Sequence, residues 1–182
     1  PQIFRGRQHD PRWTETSGHR LRTRSGRLYR GSLFEHLLVQ NLTAFFNVGE
    51  HNVCRLEGAD WNDGLDMARH RGESVAFSAF YAWNLKRLAE LAQALRSRGT
   101  KTVRLAEELS LLLDRLPGQR RVDYRRPTAK QTRLRRYLEV VSHNLSGRTI
   151  SVRLEDLVED VQAKYQDLAN RIRKQEWIRA NG

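Results

Sequence analysis

Between Glu57 and Asp66 the chain reads Glu-Gly-Ala-Asp-Trp-Asn-Asp-Gly-Leu-Asp: four carboxylates, one indole, one amide and two glycines in ten residues. Each type brings its own chemistry. A carboxylic acid can hand a proton to a departing oxygen, and a carboxylate can take one up. The Trp61 ring offers a flat apolar face of the kind on which sugar rings stack. Asp60, Asn62 and Asp63 offer hydrogen-bond acceptors. Gly58 and Gly64 let the backbone turn and come close to a ligand. Asp, Asn and Gly are also the ordinary residues of turns. Composition alone leaves a site and a plain connector equally open.

The order of these residues narrows the reading. Asp60-Trp61-Asn62-Asp63-Gly64, followed by Gly72-Glu73-Ser74-Val75, resembles the inverting glycoside phosphorylases of the cellobiose and chitobiose phosphorylase type, within glycoside hydrolase family 94. Leu33-Phe34-Glu35-His36 and Gly49-Glu50-His51-Asn52 resemble that family's preceding helix and its approach to the loop. The likeness covers roughly Tyr29 to Leu85, and the five-residue core is its specific part. It implies an all-α fold, part of an (α/α)6 barrel, with the Asp-Trp-Asn-Asp-Gly loop joining two helices at the barrel mouth. It also implies roles. Asp63 would be the general acid and Trp61 would line the sugar subsite. Asp60 and Asn62 would shape the loop or contact hydroxyls, while Glu73 and Ser74 would hold the loop from behind.

Cleaving a glycosidic bond requires a proton for the leaving oxygen, and an inverting hydrolase requires a second carboxylate to activate water. A phosphorylase replaces that water with inorganic phosphate and needs an anion pocket instead. Glu57 and Asp66 keep a hydrolase of the same barrel fold open, because loop spacing does not fix a carboxylate separation. Phosphorolysis therefore rests on the resemblance. The family's phosphate-binding Arg, His and Ser/Thr residues come from other loops, and no counterparts are matched here. The resemblance implies an oligosaccharide and phosphate as partners, no cofactor beyond the phosphate, no metal, a homodimeric intact enzyme and a cytoplasmic location.

The chain has 182 residues, enough for one domain with a real core. Twelve helices of about a dozen residues each, together with their connecting loops, would exceed it. The expectation is a piece of a larger enzyme, inactive by itself, with an irregular basic segment at 1–31 and a partial barrel catalytic domain over 32–182. The net charge is +12, mostly from arginine, and it is uneven. Residues 1–30 carry +6 and residues 115–136 carry +8, whereas 49–66 carry −4. Basic runs raise nucleic acid or another polyanion as a third reading. Zinc-finger spacing, an RNP-like aromatic strand and a heptad zipper are all missing from the sequence, and arginine-rich stretches are commonly solvated surface. Cys54 is the single cysteine, so there is no internal disulfide. It reads as a small buried filler, with a nucleophile as the lesser alternative. No apolar run approaches the roughly 18 residues of a membrane span.

Periodicity supplies five helices to position the loop. The first spans about Leu33–Asn47, with a capping box at Ser32 and Glu35. His36 lies on it and reads as a structural histidine rather than a ligand. The second spans about Ser74–Arg98, stopped by Gly99, with a broad apolar face of Ala76, Ala79, Phe80, Trp83, Leu88, Leu91, Ala92 and Leu95, and with the small residues Ala76, Ser78, Ala79 and Ala82 permitting close helix packing. Trp83 reads as core. Leucines at 105, 109, 112, 113 and 116 suggest a third helix over Thr102–Leu116. A fourth runs from about Thr128 to His143. A fifth runs from Leu154 to Arg179, capped by Ser151. Thr149–Arg153 is the one β-like stretch.

Overall fold

A computed structural model describes residues 21–56, 71–142 and 144–176. The fold is mostly helical with a few short strands, and it fits part of a helical barrel. Helix α1 (Leu33–Phe46) leads through strand β1 (Cys54–Arg55) and strand β2 (Glu73–Ser74) into helix α2 (Val75–Ser97). Strand β3 (Thr102–Ala106) and a 3₁₀ helix (Glu107–Leu111) follow, then helix α3 (Pro127–Val141), strand β4 (Thr149–Arg153) and helix α4 (Leu154–Arg171). A π-helical turn, Ile172–Glu176, continues α4.

Four of the five expected helices are α-helices. Helix α1 starts where Ser32 caps it, its Oγ accepting the Glu35 N–H at 3.0 Å. The reciprocal half of the expected capping box does not form. The Glu35 carboxylate instead accepts from the Ala106 N–H at 2.7 Å and from the Tyr29 hydroxyl. It thus ties α1 to β3 rather than to its own first turn. Leu38, Leu42, Phe45 and Phe46 of α1 are fully buried. At about 1.5–3 kcal/mol per large apolar side chain, their burial outweighs a cap of about 1 kcal/mol and decides where the helix sits.

Helix α2 packs along α4. Its buried face is Ser78, Ala82, Leu85, Leu88, Ala89 and Ala92. Phe80, Trp83 and Leu91, expected inward, are exposed, and Trp83 is 55% accessible. Close approach to α4 selects the small residues of α2 and turns its aromatics outward. There Lys86 and Arg87 lie over the Trp83 ring, at 5.3 and 5.7 Å from its centroid. Gly99 ends the helix at φ +91°, a conformation without penalty for glycine.

The expected helix over 102–116 is a correction. Thr102–Ala106 is a strand paired antiparallel with Thr149–Arg153, Val103 opposite Val152 and Leu105 opposite Ile150. The leucines that suggested a helix are still buried, Leu105, Leu109, Leu112 and Leu113 almost completely, but the chain delivers them through a strand, a 3₁₀ helix and the turn that follows it. Ser151 lies in β4 and does not cap α4. The residue at that N-cap is Arg153, whose guanidinium instead grips Asp156 in the first turn. Helix α3 begins one residue early, on Pro127, whose fixed φ suits a first turn. Leu21 and Thr23 are buried against the body, and Thr23 forms a parallel bridge with Leu145.

Candidate functional site

Asp60, Trp61, Asn62 and Asp63 lie outside the described residues, as do Glu57, Leu65 and Asp66. The two ends of their segment are described, and they are held side by side. Cys54 pairs with Ser74 and Arg55 with Glu73, and the Leu56 N–H donates to the Gly72 carbonyl at 2.9 Å. The segment therefore leaves and returns through a two-stranded neck.

The incoming arm of the neck is a tight turn. The Gly49 N–H donates to Val53 O at 3.0 Å, and the Asn52 N–H to Gly49 O at 3.1 Å. Asn52 takes φ +64°, a left-handed conformation that Asn tolerates better than most residues. The Glu73 carboxylate fills this turn. Its Oε2 accepts the His51 N–H at 3.2 Å and its Oε1 the Val53 N–H at 3.1 Å. His51 Nδ1 stands 3.4 Å from the same carboxylate. A Cβ on Gly49 would meet Glu73 Cγ, Cδ and Oε1 at 2.4–2.6 Å, so any side chain there would push the Glu73 carboxylate out of its place in the turn. Converging backbone N–H groups make an anion-binding concavity, and here the anion is the chain's own. Hydrogen bonds to a charged group contribute about 1.5–3 kcal/mol each, enough to hold a short turn.

Ser74 works on the other arm. Its Oγ accepts the Phe77 N–H at 3.1 Å and so caps α2. Its carbonyl accepts the Ser78 hydroxyl at 3.0 Å, and Ser78 Oγ in turn accepts the Cys54 N–H at 2.9 Å. Ser78 thereby joins both arms to the first turn of α2. The Cys54 thiol, directed at Ala44 O, is buried. Burial pushes its pKa up to about 11, against weaker opposing effects from Ser78 and Lys130. It is a protonated filler at neutral pH, not a nucleophile.

The far side of the turn is fastened to α3 and the stretch before it. Asn52 Nδ2 donates to Tyr124 O at 2.8 Å, and Gln131 Nε2 to Val48 O at 2.8 Å. Behind Tyr124 lies a buried ionic cluster. The Tyr124 hydroxyl donates to Asp114 Oδ1 at 2.6 Å, and Lys164 Nζ bridges Asp114 and Asp160. Burial pushes the Asp114 carboxyl up, but Lys164 and three hydrogen bonds outweigh it and leave the group below its usual range. Burial keeps Asp160 above its usual value despite Lys164. Lys130 pairs with Asp167 at 2.8 Å and stands 4.1 Å from the Phe45 ring centroid. Burial lowers its pKa, with Asp167 opposing.

Beside the neck, α1, α2 and α3 enclose a groove of about 500 Å³. Gln40, Asn47, Asn84, Phe80, Tyr81 and Arg87 are among its walls. Amides, a cation and aromatic faces can hydrogen-bond and stack on a polyhydroxy ligand. Among the described residues no group of three or more His, Cys, Asp or Glu side chains is placed to hold a metal ion, and no helix is long and apolar enough to cross a membrane.

Of the expected site residues, then, Glu73 and Ser74 are brought together with the 49–54 turn. Sequence reasoning missed Asn52 and Ser78 as parts of the same assembly. The signals for Asn52 were its place in the Gly49-Glu50-His51-Asn52 stretch before the acidic segment and the tolerance of Asn for a left-handed turn position.

The described residues thus form a mostly helical body in which a carboxylate and two hydroxyls lock a two-stranded neck. Residues 24–115, half of the chain, match the family model of the glycosyl hydrolase 94 superfamily, catalytic domain. The chain belongs to that superfamily. Comparison with curated proteins gives no match.

Proposed function

We propose that this chain serves inverting phosphorolysis of a β-glucoside, with Asp63 as the general acid. Inorganic phosphate attacks the anomeric carbon from the face opposite the leaving group. The glycosidic C–O bond breaks, and the Asp63 proton passes to the departing oxygen. The products are a sugar 1-phosphate of inverted configuration and the shortened sugar. Trp61 lines the sugar subsite, and Asp60 and Asn62 shape the segment or meet hydroxyls. Glu73 and Ser74 hold its base. The substrates are an oligosaccharide and phosphate, with no further cofactor.

One observation carries most of the reading: a carboxylate and two hydroxyls are committed to fixing the base of this segment within a domain of a carbohydrate-active superfamily. A connector of no consequence needs no such base. The groove of amides and aromatics beside the neck adds support.

The test uses the intact enzyme, a β-linked glucan oligosaccharide and phosphate. Sugar 1-phosphate should form with wild type and fall below detection with Asp63→Asn, whose circular dichroism stays native. Retained phosphorolysis removes Asp63 from the role. Free sugar released without any dependence on phosphate selects a hydrolase. Tight binding to DNA or RNA that weakens steeply with salt, with no turnover, selects the polyanion reading.

A further inference from the structure

We propose that the cavity between α1, the 3₁₀ helix and α3 binds a compact organic ammonium ion with an apolar body, its cationic head held by Glu108. The inference stands apart from the reading of Asp63, because none of the cavity's walls belongs to the neck. The cavity holds about 320 Å³, within the usual range of small-ligand sites. Leu109, Val141 and Leu145, all buried, give it apolar walls, and Leu33, 75% exposed, marks its rim.

Two buried carboxylates, Glu35 and Glu108, share those walls. Among the described residues no lysine or arginine pairs with either. Glu35 is already committed, to the Tyr29 hydroxyl and the Ala106 N–H. Glu108 is only half committed. Its Oε1 accepts the Ser146 N–H at 2.6 Å, while its Oε2, shielded from water, accepts no hydrogen bond. Glu35 and Glu73, the carboxylates that tie elements of the fold together, each use both oxygens. A buried oxygen without a donor is costly, and more so when it carries charge. Glu108 is 5% exposed and pays that cost on the wall of an apolar cavity. A small turn of the carboxylate presents Oε2 to a donor lodged there.

Charge makes that donor a cation. Both carboxylates act on the two phenols that line the cavity. Burial raises the pKa of the Tyr137 hydroxyl, and the charges of Glu108 and Glu35 raise it further. Burial does the same at Tyr29, with Glu35 and then Glu108 adding to it. The phenols keep their protons, and the negative field of the two carboxylates is left uncancelled. An anion is repelled from such a site. A neutral alcohol gains a hydrogen bond and little attraction. An ammonium head brings N–H donors to Oε2 and can also rest on the face of a tyrosine ring. An apolar body then removes the leucine and valine walls from water.

The experiment titrates the intact protein at neutral pH with benzylammonium, benzyl alcohol and benzoate, probes of one size and different charge, and follows binding by NMR. Benzylammonium should bind at least tenfold more tightly than benzyl alcohol, and benzoate more weakly than either. Glu108→Gln keeps the shape and an oxygen for Ser146. With native circular dichroism it should bring benzylammonium within twofold of benzyl alcohol and leave benzyl alcohol unchanged. Val39→Phe fills the cavity from α1 and should abolish the binding of both. Equal affinities for the probes in wild type, or no benzylammonium binding at millimolar concentration, overturns the proposal. So does a preference for benzylammonium that survives Glu108→Gln. If Glu108→Gln does not fold, Val39→Phe decides: loss of benzylammonium binding in the folded variant supports the site, and unchanged binding overturns it.

Discussion

Asp160 and Lys164 on α4, and Lys86 and Glu90 on α2, are both pairs of opposite charges four residues apart on a helix. The α4 pair is fully buried and shares its lysine with Asp114. The α2 pair is about 43% exposed on each side, with its charges 3.8 Å apart. In water such a pair contributes a few tenths of a kcal/mol. In the interior the attraction is stronger, but both ions have lost their hydration, so the pair need not stabilise the fold relative to apolar residues. The interior pair has a different consequence. It makes the cluster intolerant of losing one member, and through Tyr124 it makes the neck depend on that cluster. The same spacing is ornamental on one helix and structural on the other.

Removing one partner breaks the symmetry of that comparison most strongly. Lys164→Ala leaves Asp114 and Asp160 without their shared cation, and it should lower stability by about 3–5 kcal/mol in urea denaturation. A loss below about 1 kcal/mol would show that the interior pair behaves like the surface one. The next largest effect is on the alkaline side. Cys54 has a folded pKa of about 11 against an ordinary 9.0. The native state therefore holds its proton to higher pH than the unfolded chain does. The thiol's contribution is complete below about pH 9 and disappears as pH rises toward 11. Two units correspond to about 3 kcal/mol. Cys54→Ser should make the decline between pH 9 and 10 shallower than in wild type, leaving the part contributed by the tyrosines, which are half ionised at about pH 10 in the unfolded chain. Equal slopes would show that the thiol is not held in its protonated form.

What the sequence revealed follows the same division between outside and inside. Helices α1, α3 and α4 were legible because their apolar residues recur at helical spacing and point inward, and α1 was bounded by a real cap at Ser32. The face of α2 was read only in part: Ser78 and Ala82 stood out as small packing residues, but hydrophobicity placed Phe80 and Trp83 inward as well. Packing along α4 rewards small volume instead. The stretch 102–116 was misread because Leu105, Leu109, Leu112 and Leu113 keep a helical interval. Thr102 and Val103, together with Thr149, Ile150 and Val152, carried the β-branched signal of a paired strand, but the pairing is long-range. At the candidate site the acidic segment was conspicuous by composition. Its supports were not. Ser78 is one serine in a helix, and Asn52 becomes special only through a left-handed φ and a carbonyl 72 residues away.

Two smaller substitutions sharpen the contrast. Ser78→Ala deprives the buried Cys54 N–H of its acceptor. It should cost about 1–2 kcal/mol, and hydrogen exchange should rise at Cys54 first. Glu90→Ala marks the lower end. Lys86 and Arg87 both reach this carboxylate, and both also lie over the exposed Trp83 ring. When Glu90 is removed, each cation keeps the indole face and full access to water, so no group is left buried without a partner. Stability should change by less than about 0.5 kcal/mol, and the small loss should vanish in 1 M salt, where charges are screened within about 3 Å. A loss above about 1 kcal/mol that persists in high salt would mean that the α2 face is organised by its charges as firmly as the interior is. The division between the two helices would then fail from the exposed side.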